Sequence, residues 1–187
     1  MGRIIVSFGS WGIQVISIKE RKVMKTIDVD CNIGGISMHK SSVVCCTDGG
    51  VKMIDLEKEL TLMILSTEMN WFDYVDVFND NIYLSKSITN TVTCCDVHGN
   101  ILWKFKNKSV LLSPGGISVD GSGNVFVVSA DTNNVIVILS DGHQHKELVG
   151  KCHGLVNSKA IHFERLNNKM LVANVEDGRA FLFRVSV

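Results

Sequence analysis

Three observations predict an all-β chain assembled from repeated four-stranded units. Short apolar or alternating runs fill the sequence: IIVSF, GIQVISI, SVVCC, VKMIDL, NIYLS, TVTCCDV, NVFVVS, VIVIL, KMLVAN and AFLFRV. Gly, Asn, Asp and Ser separate these runs, and no segment sustains a helical period of apolar positions. The third observation is a repeat. Asn81, Asn90 and Gly99 recur as Asn124, Asn133 and Gly142 at a constant offset of 43 residues. Between these anchors Ile82, Tyr83 and Leu84 meet Val125, Phe126 and Val127, and Val92 meets Val135. A unit of about 40–45 residues with four short strands predicts one blade of a β-propeller. A single proline fits, because ladders need every backbone N–H.

The blades follow in order, with strands labelled a to d from the centre outward. Residues 4–29 supply b, c and d only. Residues 34–66, 72–106 and 115–149 are complete units, and Gly34-Gly35-Ile36-Ser37 echoes Gly115-Gly116-Ile117-Ser118. Residues 158–185 supply a, b and c only. Residues 1–187 therefore read as one propeller segment of about four and a half blades. A six-bladed propeller needs roughly 260 residues, so the expectation is an incomplete six-bladed ring. It would be an open arc lacking its N-terminal part, with poor stability in isolation. The turns Gly99-Asn100, Gly123-Asn124 and Asp141-Gly142 suit the positive φ of tight hairpins.

Composition removes several functions. Nineteen basic residues balance nineteen acidic ones, which disfavours a globally basic nucleic-acid binder and a charge-rich disordered chain. No apolar run of about 18 residues suggests a membrane span, and the N-terminus matches neither a signal peptide nor a myristoylation site. A soluble, cytoplasmic protein is expected. Cys31, Cys45, Cys46, Cys94, Cys95 and Cys152 include no Cys-x-x-Cys pair. Adjacent cysteines on a strand point to opposite faces, so buried free thiols are expected.

The best unit runs from Pro114-Gly-Gly-Ile-Ser-Val-Asp120 through Gly123-Asn-Val-Phe-Val127 to Asn133-Asn-Val-Ile-Val-Ile-Leu139. It resembles the NHL repeat, matching at Pro114, Gly116, Ile117, Val119, Asp120, Gly123, Val125, Phe126 and Val127. Ser129 stands near the place of that family's Asp after strand b. Residues 169–185 resemble the final blade of B-box or tripartite-motif (TRIM) NHL proteins of the invertebrate type. That resemblance implies the substrate-recognition module of a TRIM-type (B-box/RING) E3 ubiquitin ligase. The expected partner is a protein, with RNA as the alternative. The chain itself carries no RING, B-box or coiled coil.

Catalytic motifs are absent: there is no Gly-x-Ser-x-Gly, P-loop or His-Glu-x-x-His. His143, His145, Cys152 and His153 form the nearest approach to a zinc cluster, but exposed polar histidines are the far commoner reading of such a set. Asp73, Asp76, Asp120 and Asp131 are the candidate ligands for a calcium-dependent, gluconolactonase-type hydrolase, the alternative function. The expectation is a non-enzymatic scaffold without metal or cofactor. Antiparallel order puts the b–c and d–a loops on one face, where Trp11, Trp71, Lys86, Asn90, Lys108, Asp131 and Asn133 are the candidate partner-binding residues. Trp11 and Trp71 could equally wedge beneath loops as core. Lys104, Lys106 and the Lys19–Lys25 cluster read as solvated charges of outer strands.

Overall fold

Alternation decides the architecture, because a strand with apolar residues on both faces needs a packing partner on each side. The computed structural model describes residues 2–8 and 12–185. Eighteen strands form five antiparallel sheets among the described residues. Blade 1 comprises β1 (Arg3–Ser7), β2 (Ile13–Ser17) and β3 (Lys22–Ile27). Blade 2 comprises β4 (Ile33–His39), β5 (Ser42–Thr47), β6 (Gly50–Asp55) and β7 (Thr61–Ser66). Blade 3 comprises β8 (Tyr74–Phe78), β9 (Asn81–Lys86), β10 (Thr91–Asp96) and β11 (Ile101–Phe105). Blade 4 comprises β12 (Pro114–Val119), β13 (Val125–Ser129), β14 (Asn134–Ile138) and β15 (His145–Val149). Blade 5 comprises β16 (Ser158–Glu164), β17 (Lys169–Asn174) and β18 (Ala180–Arg184). Contact density divides the chain into two compact units, Met1–Trp71 with blades 1 and 2, and Phe72–Val187 with blades 3 to 5.

Register irregularities identify each strand's place in its blade. In the complete blades the c–d pairing is always interrupted by a bulge, at Val51/Lys52, Cys94/Cys95 and Val135/Ile136. Their b–c pairing never is. Blade 1 pairs β1 with β2 without interruption and β2 with β3 across a bulge at Val15/Ile16, the pattern of b, c and d. Blade 5 has a bulge between β16 and β17 and none between β17 and β18, the pattern of a, b and c. A bulge adds twist to the strand that carries it, so its recurrence at one pairing keeps the outer strands alike.

Blade 4 shows how the core is divided. Every residue of β13 and β14 is buried. Val125, Val127, Ile136 and Ile138 turn toward blade 3 and join Tyr83, Val92 and Cys94. Their neighbours Phe126, Val128, Val135 and Val137 turn toward blade 5 and join Phe163, Met170 and Val172. Phe126 and Phe163 stack with ring centroids 4.6 Å apart. In the first unit, Ile13, Ile27 and Val29 meet Val43, Cys45 and Ile54 in the same manner. Close approach also requires small residues. A Cβ on Gly116 would stand 2.9 Å from the Ile161 nitrogen and the Lys159 oxygen. At Gly142 (φ 77°), the Trp103 ring lies where a Cβ would be, and its Nε1 donates to the Ser140 carbonyl at 3.1 Å.

All six thiols are free. Cys45, Cys46, Cys94 and Cys95 are buried as the alternation predicts, and burial pushes Cys45 and Cys94 up to about 12 and Cys95 up to about 11. Cys31 is only half-buried and Cys152 is exposed, since both lie in connections between blades rather than on strands.

Hairpin turns are tied by acidic residues. Asp96 accepts the Asn100 side-chain amide at 2.8 Å and the backbone N–H groups of Asn100 and His98 at 2.9 and 2.8 Å. The Asn100 amide chiefly holds Asp96 below the usual carboxylate range. Asp55 is lowered by the Lys58 and Glu57 N–H groups, Asp141 by the His143 N–H, Glu164 by the Asn167 side chain, and Asp177 by the Arg179 N–H.

Two measurements check this picture. Phe126→Ala should cost about 3–5 kcal/mol in urea unfolding, because the cavity lies between two packed blades. The depressed carboxylates contribute stability that is complete above their unfolded values and lost as pH falls through the folded ones. The urea midpoint should therefore hold from pH 7 to about 5 and decline below about pH 4, with a shallower decline in Asp96→Asn.

Candidate recognition face

The b–c turns and d–a connections need their backbone groups satisfied where no ladder continues. Asn90 and Asn133 meet that need. Both sit in the left-handed region (φ 53° and 55°) within b–c turns, a conformation that Asn adopts more readily than most residues. Asn90 Oδ1 accepts the Ser113 N–H at 2.7 Å, and Asn133 Oδ1 accepts the Asn157 N–H at 2.7 Å. Ser113 and Asn157 immediately precede β12 and β16, so each Asn fastens its turn to the entry of the following blade. Asp131 lies in the same turn as Asn133 and accepts the Ser113 hydroxyl at 2.8 Å. These three predicted binding residues spend their side-chain acceptors on the scaffold.

The other predicted residues divide differently. Trp71 is 72 % exposed. It borders a cavity of about 100 Å³ in the first unit with Asn32, Gly34, Asp48 and Asn70. Asn32 Nδ2 donates to Asp48 Oδ2 at 3.4 Å beside it. Lys86 is half-buried at the end of β9 and has an interaction of its own. Lys108 is exposed in the turn that follows β11. Trp11 lies outside the described residues. Lys104 and Lys106 are exposed, and Lys25 donates to the Leu56 carbonyl at 2.7 Å and pairs with Glu59 at 2.8 Å.

A second cavity, of about 150 Å³, opens among the b–c and d–a segments of the second unit. Phe72, Tyr74, Ser87, Ser113, Gly115 and Lys159 line it. Phe72 is 59 % exposed, and the Lys159 ammonium stands 5.1 Å from its ring centroid. Ser87 donates its N–H (2.9 Å) and hydroxyl (3.2 Å) to the buried Asp73 carboxylate. Burial raises the Tyr74 phenol above its usual value, so it stays a neutral hydroxyl. Among the lining residues Pro114 and Gly115 belong to the NHL-like motif, while Lys159 belongs to none. The usable signal was positional: Lys159 falls where blade 4 carries Gly115.

The acidic candidates are dispersed. Asp76 Oδ2 accepts the Val119 N–H at 2.9 Å and faces Arg165 Nη2 at 3.6 Å, while Arg165 Nε donates to the Val119 carbonyl at 2.8 Å. Asp120 caps its own turn through the Ser122 and Asn124 N–H groups at 2.8 Å each. His145 packs on Phe105 at 5.1 Å, and His153 Nδ1 accepts the Gly150 N–H at 3.1 Å. Among the described residues no group of three or more His, Cys, Asp or Glu could hold a metal ion, and no helix is long and apolar enough to cross a membrane.

Five sheets of three or four antiparallel strands, repeated about one blade unit, define a β-propeller. Comparison with solved structures agrees: a chain in a crystal structure of a nidogen/laminin complex aligns with a TM-score of 0.82, covering 98 % of this chain and 74 % of that one at 13 % identity. At that identity the likeness concerns the fold alone. In sequence, the chain is similar to the E3 ubiquitin-protein ligase TRIM56 of mouse, 28 % identical over 97 residues, and to its human counterpart at 26 %. The matched stretch is 51 % of this chain and 13 % of each ligase. No protein-family profile matches the sequence.

The Asn latches are directly testable. Asn133→Ala should cost about 1–3 kcal/mol through the orphaned Asn157 N–H. Asn133→Gly should cost less, because glycine tolerates the positive φ. Urea unfolding of the two variants against the parent chain measures both.

Proposed function

We propose that this propeller is a protein-recognition module of the NHL-like kind, serving a TRIM-type E3 ubiquitin ligase in the cytoplasm and performing no chemistry itself. The observation that carries the reading is the sequence similarity to TRIM56 of mouse and human. The loop surfaces support it. Each compact unit offers a small cavity among its b–c and d–a segments, bordered by an exposed aromatic ring, Trp71 in one and Phe72 in the other. Exposed aromatic side chains on a rigid scaffold make effective anchors for a protein partner. The cavities, at about 100 and 150 Å³, fall well below the roughly 300–1,000 Å³ of sites that engulf a small-molecule substrate. They suit single side chains of a larger ligand.

Purified chain used as bait should capture the same protein partners with Trp71 intact and lose them with Trp71→Ala combined with Lys108→Glu. The melting temperature should not move, because both side chains are exposed. Undiminished capture by the double variant would reject both loop surfaces. Binding of RNA that weakens steeply with salt would instead make the partner a nucleic acid.

A further inference from the structure

We infer that the cavity at Lys159 is an anchoring pocket for the carboxylate of an Asp or Glu side chain on the bound protein, an inference that rests on the recognition reading above. The pocket originates in one departure from the repeat. Strand a is bulged in blades 2, 4 and 5, and the unpaired residues are Gly34-Gly35 in blade 2 and Gly115-Gly116 in blade 4. In blade 5 the unpaired residue is Lys159, between Ser158 and Ala160. A bulge re-aims the side chain it carries. Here it sets the half-buried Lys159 in the cavity wall, with its ammonium over the Phe72 ring.

The charge state of the wall selects the guest. No carboxylate stands within ion-pair distance of Lys159 among the described residues, although two lie on neighbouring segments. Asp73 accepts from Ser87 and Asp131 from Ser113, and neither forms an ion pair with the ammonium. The Phe72 face contacts the ammonium and leaves N–H donors for a guest. Tyr74 also lines this space, and burial keeps its phenol neutral. One fixed cation held over an aromatic ring is complementary to a single carboxylate, and about 150 Å³ accommodates one such side chain. A nucleic-acid backbone is a poorer guest. It brings a charge at every residue, whereas the cavity lining supplies a single cation.

The test is a random-peptide display selection on the purified chain, run in parallel on Lys159→Met and Lys159→Arg. Circular dichroism and melting curves first establish that both variants fold as the parent does. Peptides selected by the parent should share one Asp or Glu position, and replacing that residue by Gln or Asn should weaken binding about tenfold or more. Lys159→Met should lose the acidic preference and Lys159→Arg should keep it. Selected peptides without a shared acid, or an acidic preference that survives Lys159→Met, would overturn the pocket while leaving the recognition reading intact. Failure to select any peptide would count against both. A fluorescein-labelled random RNA 20-mer forms the second arm, and RNA binding lost in Lys159→Met would assign the cation to phosphate and overturn the inference.

Discussion

Burial on both faces of the b and c strands is the constraint on which the rest of this structure depends. A lone four-stranded sheet has two apolar surfaces and no means of covering either. In blade 4 the period-two geometry of a strand resolves this residue by residue. Val125 and Val127 face one neighbour, while Phe126 and Val128 face the other. At about 25 cal/mol per Å² of apolar surface, a blade acquires most of its stability from the blades beside it. That is the nearest-neighbour energetics of a repeat protein. The adjacent cysteines obey the same rule: Cys94 joins the cluster shared with blade 4, and Cys45 joins the cluster shared with blade 1.

Once the strands are committed to packing, the turns carry the polar work, and the two ends of the blades do it differently. On a–b and c–d hairpins, Asp55, Asp96, Asp120, Asp141 and Glu164 each gather N–H groups of their own turn. Those ties are local and lie within single blades. On the b–c and d–a side, beside local ties such as Arg179 to Asp177, further ties run between blades, as with Asn90 to Ser113 and Asn133 to Asn157. The second arrangement leaves cavities between the fastened segments, and the exposed aromatic residues gather there. A surface latched in this way holds its cavities open at small entropic cost, which suits recognition of a partner.

Legibility followed the range of the interactions involved. The Asn90/Asn133 repeat was visible as an anchor of the blade unit, yet its purpose was not. The same residue type in the same loop serves equally as a recognition side chain or as a latch. Only the position of the Ser113 and Asn157 N–H groups, more than twenty residues away in sequence, separates those roles. Trp71 presented the same ambiguity, since a tryptophan in a loop is equally suited to capping a core or facing solvent. Its 72 % exposure decides for solvent. Lys159 escaped notice because it interrupts no motif. It becomes informative only when the bulge of β16 is set beside the glycine pairs of β4 and β12.

The amino-acid sequence by itself determined the strand period, the blade unit, the turn positions and the burial of the paired cysteines. All of these depend on neighbours within a few residues or on a repeat that alignment exposes. The tertiary structure alone decided the position of each b–c turn against the next blade. It also decided that Asp76 takes the Val119 N–H of the next blade, and which cation was left in a cavity without a carboxylate. Those outcomes depend on distances between segments some 20 to 90 residues apart, such as Asn90 to Ser113 and Arg165 to Val77. Packing of whole blades sets such distances, and no local pattern encodes them.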